Sequence, residues 1–410
     1  MGAEISQLSV FAINPWGAQI PKNNIGRELI PFTIVNNSSA DLLYLYMFGT
    51  TKPLEPKNNT YYLSDYKGDC TLFDREGVKK SYGLKLQRDT ANNVFSVSFP
   101  QLDAVRVYIS LGNPLLINTD QFGIPEAVSA DSPSGPNYKD YWDFVEGTWH
   151  DYGTHTVLHM NTTQVDAFGL PFKIEHSGYD PSNPKKPLTI VGGFDSNKAR
   201  INIINDLLAA GKPWKDLAIP VVGIPRILMP LKALDLGVFP KNQLDDYIAE
   251  VGRFYQHGTP LVFKYAGVNY TSVTIASHGF VFAPDKAKDD AGKATSEYSI
   301  PLPTTRQCYA QNIISSPDDG VGRAICAALG ASFLRSTLKF YPDAGFPVPQ
   351  EERSLYYAKS PICEYARIIH KYGIDNHAFC YGYDEVAGDA GPNRDVFNPT
   401  SLKLTLNALT

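Results

Sequence analysis

Short apolar runs alternate with polar turns over the first 175 residues, a pattern that is typical of β-strands. Strands are predicted over residues 29–35, 42–48, 94–99 and 104–111. In the last of these, Val105, Val107 and Ile109 alternate with more polar positions, which indicates a strand with one buried face. The polar residues 36–39 separate the first two runs. They predict that these two strands form a hairpin.

Helical spacing begins only after Pro187. Three helices are predicted: one capped by Ser196 and ending near Ala210, one over 241–256 and one over 318–338. Strands over 261–265 and 273–282 lie between the second and third helices, and strand character returns over 381–386 and 402–406. The middle of the chain is therefore predicted to be mixed α/β.

This order of elements predicts a mainly β fold with an α+β insertion. The chain has 410 residues, more than one hydrophobic core usually supports. We expect a β-barrel or sandwich domain made of residues 1–183 and 355–410, which the N-terminal strands begin and the C-terminal strands close. A mixed α/β domain, residues 184–354, is expected to be inserted between these two parts.

Composition narrows the class of protein. Hydrophobic residues make up 43% and charged residues 19% of the chain, which excludes disorder and a coiled coil. The net charge of −5 gives no basic surface for nucleic acid or for an anionic membrane, and no apolar run is long enough to span a bilayer. The 24 tyrosines and 21 phenylalanines provide aromatic surface of the kind that suits sugars.

Neither a metal nor a cofactor is expected. The five cysteines are odd in number, so at least one thiol is unpaired, and none has Cys-x-x-Cys spacing. His155 and His159 are four residues apart, but they fall in a predicted strand, where zincin geometry would need a helix. Gly320 and Gly322 precede a helix without the third glycine of a dinucleotide-binding turn.

The segment 138–171 is the richest in acids and aromatic rings. Its carboxylates are Asp140, Asp143, Glu146, Asp151 and Asp166. Hydrolysis of a glycosidic bond requires one protonated carboxyl and one carboxylate, and apolar rings keep a carboxyl protonated by desolvating it. The alternative is that these acids only solvate a hairpin, and the residue types alone leave both interpretations open.

Several sequence blocks carry a family resemblance. They are Val105 to Gly112, Trp142 to Glu146, Asn161 to Asp166, Arg226 to Leu228, Arg335 to Leu338, Tyr365 to His370 and Tyr381 to Glu385. In this order they resemble the signature of glycoside hydrolase family 64, the laminaripentaose-producing β-1,3-glucanases. The last block is similar to one that this family shares with thaumatin-like proteins. The resemblance extends from about Phe32 to Leu406.

The resemblance implies a thaumatin-like β-barrel and a mixed α/β domain that flank a wide, electronegative groove for β-1,3-glucan. By motif, Glu146 matches the family's general acid and Asp166 its general base, which implies hydrolysis with inversion. Inversion needs carboxyl groups roughly 6.5–9.5 Å apart, so that a water molecule fits between them and the sugar.

The same resemblance implies a set of sugar contacts: Thr148, Thr163, His150, Asn161, Trp142 and Trp149. Thr148 and Thr163 match sugar-contacting threonines, whereas His150 stands in place of an asparagine. Trp149 is the candidate to replace a family tryptophan that has no counterpart here, and Gly147 stands where the family usually has an aromatic residue. The connection between acid and base is also longer than in the family. These departures concern the length of the product rather than β-1,3 hydrolysis itself.

We therefore expect an endo-type hydrolase of β-1,3-glucan that releases short laminari-oligosaccharides. The alternative is a catalytically inactive thaumatin-like protein that binds glucan or acts against fungi, which the altered hairpin suggests. The expected partner is β-1,3-glucan, with no nucleic acid and no membrane, and the protein is expected to be a monomer. An extracellular location is expected, although residues 1–12 do not read as a signal peptide.

Overall fold

β-Strands are the regular secondary structure of the described residues up to Gly193. The computed structural model describes residues 12–13, 19–51, 60–75, 79–88, 93–221, 224–256, 260–275, 279–388 and 395–410, so most of the segment read for a signal peptide lies outside the described residues. The strands of this part are β1 Ala12–Ile13, β2 Gln19–Ile20, β3 Leu29–Asn36, β4 Leu42–Thr50, β5 Thr60–Leu63, β6 Cys70–Leu72, β7 Leu84–Gln87, β8 Val94–Pro100, β9 Asp103–Leu111, β10 Tyr141–Asp151, β11 Thr156–Thr162, β12 Ala167–Phe168, β13 Phe172–Asp180 and β14 Asn183–Gly193.

Helices and shorter strands follow. They are α1 Ala199–Ala209, β15 Ala218–Val221, β16 Ile224–Leu228, α2 Pro230–Asp235, α3 Asp245–Tyr255, β17 Val262–Tyr265, β18 Val268–Ile275, β19 Gly279–Pro284, β20 Tyr298–Ile300, α4 Thr305–Ala310, α5 Gly320–Arg335, α6 Glu364–Tyr372 and β21 Val396–Leu406. Short 3₁₀ helices cover Trp214–Leu217, Gln350–Leu355, Ile374–Asn376 and Val386–Gly388.

A twelve-stranded sheet dominates the fold and curves into a nearly closed barrel. Its main order is β14-β13-β21-β11-β10-β9-β4-β5-β6, while β3 pairs with β21 and β8, and β7 pairs with β4. The C-terminal strand β21 is thus joined to β13, β11 and β3. The expected mainly β class, with the C-terminal strand completing a sheet begun by the N-terminal part, is confirmed. The predicted domain boundaries stay a prediction.

The hairpin predicted between the first two long strands is wrong. Strand β3 pairs with β8 and β21, whereas β4 pairs with β9, β5 and β7. The Asn36 side chain closes the connection locally, since its Oδ1 accepts from the Ser38 backbone N–H and its Nδ2 donates to the Ala40 carbonyl at 2.7 Å. The polar turn was predicted correctly, but the two strands that it joins pair with different neighbours.

The sheet separates two hydrophobic cores because successive side chains point to opposite faces. The barrel core fills the inside and includes Leu45, Val107 and Val145. The lobe core lies on the outer face, where Tyr108 and Phe144 pack with the side chains of the helices. The strands β9 and β10 contribute to both cores, so they connect the barrel to the helical part of the protein.

Helix boundaries differ modestly from those predicted. Helix α1 begins at Ala199, after Lys198 rather than Ser196. Helix α5 begins after Asp319, whose carboxylate accepts from the N–H groups of Val321 and Gly322. The strand predicted over 273–282 is instead divided between β18 and β19, and the strand predicted over 381–386 is a turn that leads into a 3₁₀ helix.

All five cysteines are buried, and no two of them form a disulfide. Among the described residues, no helix combines the length and the apolar character needed to cross a membrane.

Candidate functional site

Strand β10 presents a half-exposed polar row next to a buried aromatic one. Trp142 and Phe144 point into the lobe core, and Glu146, Thr148 and His150 continue the same face with half-buried side chains. The alternate residues of the strand point into the barrel. Glu146 therefore lies at the boundary between the buried aromatic side chains on this face of the sheet and the solvent.

Glu146 has a cation on one side and an amide on the other. In the ladders, Arg106 of β9 and Asn161 of β11 are its direct neighbours. The Arg106 Nε lies 3.4 Å from Glu146 Oε2, and the guanidinium packs over the Phe144 ring with its carbon 5.3 Å from the ring centroid. Burial opposes the charge on Arg106, but Tyr108 and Glu146 outweigh it and raise the arginine pKa. The cation beside Glu146 is therefore permanent.

Asp166 lies on the connection from β11 to β12 with a half-buried carboxylate. Lys232 Nζ of α2 is 3.3 Å from its Oδ1. The negative charge of Asp166, like that of Glu146, contributes to the raised pKa of Arg106. The structure thus brings both predicted acids into the electrostatic field of one guanidinium.

The buried Asp143 fixes the segment that follows Asp166. Its Oδ2 accepts from the backbone N–H groups of Gly169 and Leu170 at 2.8 and 3.0 Å, and its Oδ1 accepts from Phe144 N–H. Burial raises the pKa of Asp143 to about 7, against the three hydrogen bonds that favour the charged form. Because Asp143 lies on β10, it ties the strand of Glu146 to the loop of Asp166.

The polar residues predicted to contact sugar differ in how far their side chains are exposed. Thr148 accepts from the Ala104 N–H at 3.2 Å and is half-buried. Thr163 is 1% exposed, and among the described residues neither its hydroxyl nor the Asn161 Oδ1 has a hydrogen-bond partner. His150 Nδ1 lies 2.8 Å from Asp103 Oδ1. Thr148, Asn161 and His150 therefore share the outer face of the β10–β11 hairpin, and Thr163 lies behind it.

The two predicted tryptophan contacts need correction. Trp149 is 1% exposed and stacks on Phe99 in the barrel core, with ring centroids 6.2 Å apart. Trp142 is 3% exposed, lies under the Arg226 guanidinium and donates from Nε1 to the Asn137 carbonyl. Neither ring offers a face to a polysaccharide, because each points into a core.

Trp149→Ala is accordingly expected to lower the free energy of unfolding by about 3–5 kcal/mol, as for other large buried side chains. Binding of soluble β-1,3-glucan, the partner expected from the sequence, should stay unchanged, because the ring does not reach the surface. Urea unfolding and a glucan-binding titration below the unfolding midpoint check both, with Trp149→Phe as the milder control. Unchanged stability with a tenfold weaker glucan affinity would restore the sugar-contact role.

Gly147, the departure next to Glu146, has a steric explanation. A Cβ at this position would collide with the carbonyl oxygen of His159 and with Met160 on the neighbouring strand. The aromatic residue of the family has no room here because β11 lies too close. Aromatic surface is found instead beyond the end of β10, where Tyr152 stacks on His155 and is 62% exposed.

A buried cluster of His370, Cys380 and Asp384 has donor atoms of the kind that hold metals, all within 4.8 Å of one another. Asp384 already accepts from His370 Nε2 and from the Cys380 N–H, each at 2.9 Å, and pairs with Arg335 at 3.4 Å. Burial would raise the pKa of Asp384, but His370 and Arg335 outweigh it and lower the pKa. The arginine supplies the positive charge that a metal would bring, so we interpret the cluster as a structural ion pair.

Sequence reasoning missed Lys232, the role of Arg106 and the anchoring role of Asp143. Arg106 was visible as a polar residue in an alternating strand, and its place opposite Glu146 follows once β9 and β10 are paired in register. Lys232 carried no local signal, because it reaches the site only through the packing of α2.

Comparison with known proteins gives consistent similarities. The family model for beta-1,3-glucanase, glycoside hydrolase family 64, matches residues 28–406. Two glucan endo-1,3-beta-glucosidases, from Cellulosimicrobium cellulans and Arthrobacter sp. (strain YCWD3), are 21% and 22% identical over 93% of this chain. The chain spans 65% of the length of each of these relatives.

Solved structures share the fold. A laminaripentaose-producing beta-1,3-glucanase in complex with laminaritetraose is similar with a TM-score of 0.74 and 22% identity, over 93% of this chain and 99% of the other. A beta-1,3-glucanase domain from Clostridium beijerinckii gives a TM-score of 0.69 at 20% identity, over 92% and 98%. At these identities the likeness establishes the fold.

Proposed function

Because the chain belongs to glycoside hydrolase family 64, the beta-1,3-glucanases, we propose that it cleaves β-1,3-glucan internally by an inverting mechanism with Glu146 and Asp166. The observation that carries the proposal is the placement of these two acids within the family match. Both are half-buried, both act on Arg106, and they belong to different elements that Asp143 ties together. Two acids that only solvated a hairpin would not need this support.

In the proposed reaction, Glu146 donates a proton to the glycosidic oxygen as the bond to the anomeric carbon breaks. Asp166 takes a proton from the water that attacks the opposite face of that carbon. Lys232 Nζ lies 3.3 Å from Asp166 Oδ1 and so places a positive charge beside the proposed base. The assignment of acid to Glu146 and base to Asp166 follows the family motif.

The polar outer face of the β10–β11 hairpin is the proposed floor for the sugars. Thr148, His150 and Asn161 present a hydroxyl, an imidazole and an amide along it, which suits the hydroxyl groups of glucose. Thr163 is proposed as a contact of lower accessibility. The endo mode and short laminari-oligosaccharide products are proposed from the relatives, which are named glucan endo-1,3-beta-glucosidases.

We also propose that the barrel is of the thaumatin-like type and that the protein acts outside the cell as a monomer. The proposed substrate is a polysaccharide, which supports an extracellular site of action. The ring of strands completed by β21 supports the barrel assignment.

Incubation of the purified protein with laminarin tests the function. We expect reducing sugars, a ladder of short laminari-oligosaccharides by chromatography, and the α-anomer as the first product in proton NMR, because inversion at a β-linked carbon yields α. A first-formed β-anomer would contradict the inverting mechanism. Binding to insoluble β-1,3-glucan without release of soluble sugar would instead support the inactive glucan-binding alternative.

A further inference from the structure

A lysine ammonium group lies between two carboxylates beside the proposed base. Lys232 Nζ is 3.3 Å from Asp166 Oδ1 and 3.7 Å from Asp131 Oδ2. The side chains of Lys232 and Asp166 are 26% and 27% exposed, and that of Asp131 is 18% exposed. Ion pairs at this depth are screened less by solvent and salt than pairs at the open surface.

The backbone holds the lysine and the base in register. The Met229 N–H, at the start of α2, donates to the Asp166 carbonyl at 3.1 Å. At the adjacent position, Leu228 of β16 pairs with Ala167 of β12. The start of helix α2 is therefore hydrogen-bonded to the backbone of Asp166. This contact fixes the position from which the Lys232 side chain reaches the Asp166 carboxylate.

The charges around this pair keep Lys232 protonated. Burial opposes its charge, but Asp166 and Asp131 outweigh burial and raise the lysine pKa. Asp131 also accepts from the Ser129 hydroxyl at 2.6 Å, which holds the second carboxylate in place. The other titratable groups whose charges interact with Asp166 are Arg106 and Tyr108 of β9 and Tyr365 of α6, and Glu146 of β10 acts on the same Arg106.

We propose that Lys232 is a positioning residue for hydrolysis, which orients the Asp166 carboxylate by engaging its Oδ1. The proton of the attacking water then passes to the second oxygen of the carboxylate. The α/β part of the molecule thus supplies the cation for a base that follows a barrel strand. This inference rests on the proposed function, because it assigns Lys232 a role only if Asp166 acts as the base.

The contact with Lys232 predicts a change in kcat rather than in KM. In Lys232→Met the Asp166 carboxylate loses the partner that fixes its Oδ1, so the kcat on laminarin should fall about 10- to 100-fold. KM should change less than about threefold because the sugar contacts remain. Lys232→Arg should restore most of the activity, because it keeps a cation at this position.

Asp131→Asn tests the position of the lysine and leaves Lys232 in place. Without the second carboxylate the ammonium is held less firmly, so kcat should fall about two- to fivefold, less than in Lys232→Met, because the contact with Asp166 remains. Lys339→Met is the matched control, because Lys339 pairs with the exposed Glu250 at 2.6 Å. Its kcat and KM should equal those of the wild type.

The outcomes separate this inference from the function it rests on. A loss of kcat in Lys232→Met that Lys232→Arg restores supports the inference, and if Lys232→Met does not fold, the smaller loss of kcat in Asp131→Asn decides. Wild-type kcat in the folded variants, together with an inactive Asp166→Asn, would overturn the role of Lys232 and leave the proposed function standing. An active Asp166→Asn would instead overturn the proposed function.

Discussion

Glu146→Gln is expected to reduce laminarin hydrolysis by about 10³-fold, because the amide keeps the size of the side chain but has no acidic proton for the leaving oxygen. KM should change little, since Thr148, His150 and Asn161 remain on the hairpin face. Reducing-sugar release over the pH range measures the loss. Circular dichroism and thermal unfolding show whether the fold is intact.

A leaving group that needs no protonation distinguishes an acid from a residue that only binds sugar. On a nitrophenyl β-laminari-oligosaccharide, Glu146→Gln should recover much of its lost rate, because nitrophenolate departs without a proton. Glu250→Gln, at an exposed ion pair on α3, is the matched control for loss of a carboxylate. Equal losses on both substrates would contradict a general-acid role for Glu146.

Asp166→Asn is expected to lose at least as much activity, about 10³-fold or more, on both substrates. An asparagine cannot accept the proton of the attacking water, and that requirement does not depend on the leaving group. The loss should therefore persist on the nitrophenyl substrate, unlike that of Glu146→Gln. Steady-state kinetics on the two substrates side by side measure this contrast.

Asp318→Asn is the matched control, since Asp318 pairs with Arg323 at 3.4 Å and both side chains are exposed. It should retain wild-type rates on both substrates. Recovery of Asp166→Asn by the activated leaving group would mean that the roles of the two acids are exchanged. Wild-type activity in Asp166→Asn would exclude the pair altogether.

The strands that the sequence predicted best are those whose side chains alternate strictly. In β9, Val105, Val107 and Ile109 point into the barrel core as predicted. The period of two also places Glu146, Thr148 and His150 together on one face of β10. The prediction for β9 held because it depends only on the geometry of an extended backbone.

Predictions that needed a partner or a buried neighbour failed. The turn after β3 was recognised, yet β3 and β4 lie in different ladders, because alternation does not specify which strand pairs with which. The segment 381–386 was predicted as a strand, but Asp384 is held in a turn by Arg335 and His370. The ion pairs of Asp384 with these two buried residues outweigh the local preference of the Tyr-rich segment for a strand.

The tryptophans show the same limit at the site. A ring in an aromatic-rich segment is compatible with a sugar platform or with a core, and Trp149 falls in the barrel core only because β10 has a sheet face that is closed by other strands. The residue types were the same in both interpretations, so burial alone decided between them.

The sequence by itself determined the mainly β class with a mixed segment between the barrel strands, since these follow from local periodicity and residue type. The order of its motifs led to the proposed pair of acids. Only the tertiary structure decided which groups surround those acids. Arg106 reaches Glu146 through the register of β9 with β10, and Lys232 reaches Asp166 through the packing of α2 on the loop after β11. The physical reason is that electrostatic neighbours act through distances of a few ångströms in space, which separation along the chain does not record.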